Sequence, residues 1–291
     1  MISTPKTIQI YLPGGDPRGL RVAEITTRIV QAIEVPRSLL SDFFQMPESN
    51  KVAVYYLIGE DEEGSGPMVY IGQTGDLRKR LAKHNSDKGF WERALVVISL
   101  TGSLTQTHAL FLEWYSLQMM REAGRYPDNN GNSGSKPHTP APLESDCLEI
   151  FETSSILLST LGHPLFSPLV KQRQEENQDD QLYFCQGSGA DGRGVYTPEG
   201  FVVLKGSTGR RENVPSIIGT ATERTREKLL SSDVVIIGGS TVTFEKDHLF
   251  PSPSAAAITL MGRSANGWLE WKTADGQTLD ELERQQTEEE Q

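Results

Sequence analysis

The sequence predicts an α+β protein in which a small antiparallel sheet flanked by helices is followed by a second small α+β domain. Segments of strand length and segments of helical period are interspersed along the chain. The 291 residues, of which 36% are hydrophobic and 23% are charged, suffice for two modest hydrophobic cores. Residues 171–181 contain no apolar side chain, so they cannot bury a face and predict a solvated linker between the domains.

The N-terminal extension, residues 1–49, is predicted to contain a strand and a helix. Residues 7–12 alternate between polar and apolar side chains, as a half-buried strand does. Apolar residues then recur at steps of three or four positions, the period of a helix: Val22, Ile25, Ile29 and Ile33. Pro36 is expected to end this helix.

The next domain, residues 50–170, begins with a predicted β-hairpin. Residues 52–58 and 68–71 have strand character, and an acidic, glycine-containing loop at residues 60–67 joins them. Helices are then predicted at residues 76–84, 110–122 and 146–161, with a β-branched strand at residues 94–100 and a Pro, Asn, Gly and Ser-rich loop at residues 126–142.

The C-terminal domain, residues 182–284, has strands and helices of its own. Strands are predicted at residues 182–185 and 200–207, a helix at residues 222–230 and a turn leading into a strand at residues 266–272. A further helix is expected where Ser252 or Ser254 caps the free amides ahead of three alanines. The polar residues 285–291 predict a frayed acidic tail.

Composition excludes several classes of protein. The formal net charge of -11 argues against a protein that coats nucleic acid through bulk electrostatics. No apolar run approaches the roughly 20 residues that span a bilayer, and the first residues lack an export signal, which predicts a cytoplasmic protein without a membrane span. Cys147 and Cys185 are too few for a disulfide framework or a zinc site. A local basic cluster nevertheless occurs within the middle domain: Arg78, Lys79, Arg80, Lys83, Lys88 and Arg93.

Four polar side chains of the middle domain are expected to converge. The predicted hairpin places Tyr55 and Tyr70 on neighbouring strands, and Gly72 leaves room where the chain turns toward the helix. Arg80 and His84 are four positions apart, so they share one face of that helix. Two phenols, a guanidinium and an imidazole around one pocket suit phosphodiester chemistry.

These motifs resemble those of the GIY-YIG nucleases over about residues 50–145. The Ala-Val-Tyr that ends at Tyr55 takes the place of Gly-Ile-Tyr, and the Tyr-Ile-Gly that begins at Tyr70 is the second motif intact. The resemblance implies the small helix-flanked sheet of that family and the metal-dependent hydrolysis of DNA.

The resemblance also implies roles for individual residues. Arg80 and His84 stand where the family has its arginine and its histidine or tyrosine, and Glu113 matches the metal-binding glutamate. The family's late asparagine matches one member of residues 129–132, of which we favour Asn130. Magnesium or manganese is expected rather than zinc, because the matched ligand is a hard carboxylate. The resemblance makes one of the two tyrosines the base, assisted by the histidine, and leaves open which.

The C-terminal domain resembles a domain of unknown function that is often attached to such nucleases. The resemblance rests on residues 200–207, 252–256 and 266–272, of which the last two also resemble parts of restriction and methylation-associated domains. Trp268 and Trp271 are expected to anchor a small core rather than to stack on bases.

The sequence therefore predicts a metal-dependent DNA endonuclease whose C-terminal domain takes part in target selection. The alternative, which the acidic net charge and the relaxed first motif motivate, is a non-catalytic nucleic-acid-binding module on a nuclease fold. The sequence disfavours it mildly, because a decayed enzyme commonly loses its arginine or its carboxylate and both are present here. A third hypothesis, a protein-binding scaffold, rests on the accessory domain.

Overall fold

A computed structural model describes residues 5–60, 67–127, 129–131, 134–170 and 181–285. The predicted acidic hairpin loop, linker and tail lie largely outside these ranges. The chain forms two compact units, Met1–Pro168 and Leu169–Gln291. Within the described ranges, no helix has the length and apolar character to cross a membrane.

The first unit is built on a six-stranded antiparallel sheet. Its strands are β1 (Ile8–Tyr11), β2 (Arg21–Ile25), β3 (Val30–Pro36), β4 (Ala53–Glu60), β5 (Pro67–Thr74) and β6 (Trp91–Ser99). They lie in the order β1-β2-β3-β6-β4-β5, so β5 is an edge strand. The helices are α1 (Leu40–Phe43), α2 (Leu77–Asp87), α3 (Gln106–Ala123) and α4 (Ala141–Thr160), with 3-10 turns at Arg37–Leu39 and Pro47–Asn50.

The helix predicted in the N-terminal extension is wrong, because the segment forms β2 and β3. Val22 pairs with Ile33 across an antiparallel ladder, and β3 also pairs with β6 along seven residues. Every residue of β3 is buried, so its side chains show no alternation of polar and apolar character. The apolar spacing that resembled a helical period arose from two strands joined by a turn.

Helices cover both faces of this sheet. Residues of α3 and α4 pack on one face and residues of α1 and α2 on the other, and each face has its own hydrophobic cluster. The predicted α+β class, with an antiparallel sheet flanked by helices, is thereby confirmed.

A buried carboxylate anchors the end of α4 to the sheet. The fully buried Glu34 accepts a hydrogen bond from Arg93 at 2.8 Å and pairs with Arg21. Arg21 in turn donates to the Leu161 carbonyl at 2.9 Å, and the ring of His163 lies 3.4 Å from Glu34. Burial raises the pKa of Glu34, but the His163 hydrogen bond and the two guanidinium charges outweigh burial and lower that pKa overall.

The second unit contains a seven-stranded antiparallel sheet. Its strands are β7 (Leu182–Gly187), β8 (Ala190–Thr197), β9 (Gly200–Val203), β10 (Thr208–Arg210), β11 (Val235–Gly238), β12 (Thr241–Phe244) and β13 (His248–Phe250). Six lie in the order β11-β12-β10-β8-β9-β13, and β7 pairs with β8. The helices are α5 (Ala221–Leu230), α6 (Pro253–Met261) and α7 (Gly267–Glu270), followed by a π-helical turn at Glu281–Gln285.

The predicted turn into a strand at residues 266–272 is corrected to a short helix, α7. The Asn266 side chain accepts a hydrogen bond from the Trp268 backbone N–H at 3.2 Å, which caps the helix rather than forming a hairpin turn. The extended character appears only at Lys272, which bridges Phe184 and Thr278.

The starts of α6 and α7 are fitted to each other. Ser252 is the cap of α6, whereas the Ser254 hydroxyl accepts a hydrogen bond from the Gly267 N–H at 3.0 Å. A Cβ at Gly267 would overlap the backbone of Pro253, and the buried Trp271 indole donates to the Pro253 carbonyl at 3.0 Å. The two short motifs of this unit thus form one packing contact.

Candidate functional site

The hairpin of β4 and β5 brings the two tyrosines to one face of the sheet. Tyr55 pairs with Gly72 and Leu57 pairs with Tyr70, and the two phenol rings lie 6.3 Å apart between centroids. A Cβ at Gly72 would overlap the Tyr55 phenol, so the ring occupies space that only glycine leaves open.

Helix α2 brings Arg80 and His84 to the same place. Asp76 caps the helix by accepting a hydrogen bond from the Lys79 N–H at 3.0 Å. Arg80 Nε donates to the Tyr55 hydroxyl oxygen at 2.9 Å, and Arg80 Nη2 lies 3.5 Å from the Tyr70 hydroxyl oxygen. His84 Nε2 lies 2.8 Å from the Tyr55 hydroxyl. The structure therefore brings together all four side chains that the sequence predicts to converge.

Burial sets the protonation states of this group. Burial, reinforced by the charges of Arg80 and Lys88, lowers the pKa of His84 to about 4, so the ring is neutral at pH 7. Burial likewise raises the pKa of Tyr55 and keeps this phenol protonated. Since Arg80 donates to the Tyr55 oxygen, the phenol proton is available for His84 Nε2.

Tyr70 differs from Tyr55 in its surroundings. Tyr55 is fully buried, whereas Tyr70 is half-buried. The Lys88 ammonium lies 4.2 Å from the centroid of the Tyr70 ring, and the His84 ring meets that ring edge-on at 5.2 Å. Tyr70 is therefore the phenol of the pair that solvent reaches.

Glu113 is a half-buried carboxylate on α3 within electrostatic range of Arg80 and Tyr55. Burial raises its pKa, while a hydrogen bond from the Gln73 backbone N–H and the charge of Arg80 oppose that rise. Within the described residues, no three His, Cys, Asp or Glu side chains are grouped to hold a metal ion. A lone hard carboxylate fits magnesium or manganese, which take further ligands from water and phosphate oxygens, better than it fits zinc.

Asn130 lies on the free edge of β5. Its side-chain Nδ2 donates to the Ile71 carbonyl at 2.6 Å, and its Oδ1 accepts from the Ile71 N–H at 2.9 Å. The Asn129 N–H donates to the Val69 carbonyl at 3.2 Å. Asn130 thus holds the strand that carries Tyr70, while Asn132, another member of the predicted set, lies outside the described residues.

Sequence reasoning missed one contributor to the site among the basic residues. Lys88 belongs to the basic cluster of α2 and its flank, but nothing in the sequence assigns it to the Tyr70 ring. Arg78 lies on the exposed side of α2, where it donates to the Phe44 carbonyl and lies 5.5 Å from the Phe44 ring. The sequence shows that basic residues cluster in this segment, but it does not show which residue each of them contacts.

The sequence offers five basic residues of the second unit as candidate phosphate contacts, and the structure corrects one of them: Arg210, Arg211, Arg224, Arg226 and Lys228. Arg226 is buried, with 1% of its surface exposed, and it donates to the carbonyls of Arg210, Arg211 and Thr259. These hydrogen bonds occupy the guanidinium in the core. Arg226 is therefore a packing residue and not a surface cation for a phosphate.

Comparison with known protein families matches residues 183–283 to the family described as Domain of unknown function (DUF4357). The match covers most of the second unit and less than half of the chain. Searches of curated proteins and of solved structures found no significant match.

Proposed function

We propose that this protein is a metal-dependent endonuclease of the GIY-YIG type that hydrolyses phosphodiester bonds in DNA. The observation that carries the proposal is the contact of one guanidinium with two phenols, one of which also meets a neutral imidazole. These side chains occur on β4, β5 and α2, in the order and spacing of the motifs that resemble that family.

Arg80 is assigned to the scissile phosphate. Its half-buried guanidinium is held by the Tyr55 hydroxyl, which raises the pKa of Arg80 and keeps it charged. A fixed guanidinium stabilises the negative charge that develops on a phosphate in the transition state, because its donors are already oriented.

Tyr70 and the pair of Tyr55 and His84 are assigned different tasks. Tyr70 is the accessible phenol, so it orients the attacking water. His84 Nε2 is a proton acceptor at neutral pH and reaches the site through the Tyr55 hydroxyl. A divalent cation held by Glu113 would stabilise negative charge on the leaving oxygen.

The test compares Glu113→Gln and Arg80→Ala with the unchanged protein on single-stranded, duplex and branched DNA with magnesium or manganese. Each substitution removes a group that meets developing charge, so we expect kcat to fall by about 100-fold or more with folding intact. Lys79→Ala is the matched control, because Lys79 is exposed on the same helix whereas Arg78 is tied to Phe44.

The outcome also decides the alternative function. A non-catalytic nucleic-acid-binding module would bind DNA without cutting it, and Glu113→Gln would leave that binding unchanged. An unchanged protein that neither cuts nor binds any of the three substrates would contradict both proposals and leave the protein-binding scaffold. Equal losses for Arg80→Ala and Lys79→Ala would assign the effect to general basic attraction.

We further propose that the second unit takes part in choosing the target. It is a compact unit with a sheet and core of its own. The contacts among Tyr55, Tyr70, Arg80 and His84 all lie in the first unit, so chemistry is assigned to that unit.

A further inference from the structure

Arg37 lies directly after β3 and binds the segment that connects α2 with β6. Its Nε donates to Asn85 Oδ1 at 2.9 Å and its Nη2 donates to the Asn85 carbonyl at 2.8 Å. Its Nη1 donates to the carbonyls of Gly89 at 2.9 Å and Trp91 at 3.1 Å. One guanidinium therefore spans the last turn of α2, the following loop and the first residue of β6.

The segment held in this way carries two groups of the site. Lys88, whose ammonium lies over the Tyr70 ring, stands between two of the residues that Arg37 binds. The buried Trp91 donates from Nε1 to the His84 carbonyl at 3.2 Å, and the Arg37 Cζ lies 4.8 Å from the centroid of the Trp91 ring. Arg37 thus contacts the neighbours of Lys88 in sequence and the tryptophan that holds the backbone of His84.

The geometry of this contact requires a guanidinium. All four acceptors are neutral oxygens, so the contact depends on how the N–H donors are oriented and not on an ion pair. Arginine offers five N–H donors in a rigid planar fork, whereas the lysine ammonium is a point charge on a flexible stem. Lysine at position 37 would keep the charge and lose the simultaneous contacts.

We propose that Arg37 is a positioning residue of the tyrosine, arginine and histidine site, and that it acts by fixing Lys88 against Tyr70. This inference rests on the proposed nuclease function and extends it, because it gives the turn that follows β3 a part in positioning the site. The segment around Arg37 lies outside the motifs that resemble the GIY-YIG family.

The first test measures kcat and KM of the 291-residue chain with Arg37→Met and Arg37→Lys. A displaced Tyr70 lowers kcat, so we expect kcat to fall about tenfold or more in both variants while KM changes less than about twofold. Arg18→Met is the matched control, since the Arg18 side chain is exposed on the same N-terminal segment. Unchanged kcat in both Arg37 variants, rescue by lysine or a loss confined to KM would overturn the proposal.

The second test is a double-mutant cycle between Arg37→Lys and Lys88→Met. If Arg37 acts through Lys88, the double variant loses little more kcat than the worse single variant. Independent losses, in which the two fold-changes multiply, would overturn the proposal. The lysine variant keeps an aliphatic stem at position 37, so the cycle does not depend on the methionine variant folding.

A third measurement separates this inference from the proposed function. The ring resonances of 13C-labelled Tyr70 are assigned by their loss in Tyr70→Phe and then followed in Arg37→Lys and Lys88→Met. We expect both substitutions to move these resonances, and Arg18→Met to leave them in place. A protein that cuts no DNA would refute the nuclease, whereas unmoved Tyr70 resonances would refute the role of Arg37.

Discussion

At the scale of the residue, His84 shows how burial sets the charge on which a site depends. The ring is 4% exposed and stands near the cations Arg80 and Lys88, so its protonated form is disfavoured twice. The neutral ring is what allows Nε2 to accept the hydrogen bond of Tyr55. A protonated His84 would have no acceptor to offer.

We expect His84 to make the protein less stable in acid. The pKa of His84 is about 4 in the folded protein, whereas its usual value is 6.5. Between these two pH values the unfolded chain binds a proton at His84 that the folded chain does not bind. The free energy of unfolding should therefore fall as the pH drops from 6.5 to about 4. His84→Gln should reduce that fall in urea titrations, whereas His138→Gln, at an exposed position, should not.

The same scale separates what the sequence could predict from what it could not. Tyr55, Tyr70, Arg80 and His84 could be placed together because a hairpin and one helix face fix their relation within 30 residues. Arg37 lies 48 to 54 positions from its partners, so its contacts arise only once the sheet has formed. No local period or motif encodes such a contact.

At the scale of the element, the C-terminal end of α4 is connected to the sheet through one buried carboxylate, that of Glu34 on β3. The Glu34 carboxylate neutralises the charges of Arg21 and Arg93. Arg21 also donates a hydrogen bond to the carbonyl of Leu161, the residue that caps the C-terminus of α4. The helix and three strands are thereby joined through a single buried group.

Replacing this carboxylate should cost far more than replacing one on the surface. We expect Glu34→Gln to lower the free energy of unfolding by about 2 kcal/mol, because it leaves the partly exposed Arg21 and Arg93 without their buried counter-charge. Glu149→Gln breaks an ion pair with Arg28 in which the Glu149 side chain is 72% exposed, and should cost less than about 1 kcal/mol. Urea unfolding of both variants measures the difference, and equal losses would contradict the anchoring role.

The elements were predictable where hydrophobic pattern and burial agree. Helix α2 has Leu77 and Leu81 on its buried side and cations outside, so its period is visible in the sequence. Strand β3 is buried on both faces, and its apolar residues therefore carry no period of two. The sequence alone could not distinguish that strand from a helix.

At the scale of the whole molecule, the chain has two units with separate cores, and we propose cleavage for the first and target selection for the second. The first holds the candidate site, and the second is the part matched to a family of unknown function. An overall charge of -11 leaves little general attraction for DNA, so the proposed nuclease would need specific contacts to bind it.

We therefore expect removal of the second unit to change which DNA is cut rather than whether it is cut. A chain of residues 1–170 should keep its cleavage rate on some duplexes and lose the preference of the full chain. Rates and affinities on methylated and unmethylated duplexes, at one stated salt concentration, test this expectation. Identical preferences for both chains on every substrate would refute it.

The Asn130 amide on the free edge of β5 also bears on solubility. An uncovered edge strand offers its backbone N–H and C=O groups to any other extended chain, which is a common start of aggregation. Asn130 occupies both groups of Ile71 with a side chain that cannot propagate a ladder. The strand that bears Tyr70 thus lies at the edge of the sheet, and the same asparagine that steadies it also occupies backbone groups that would otherwise pair with another chain.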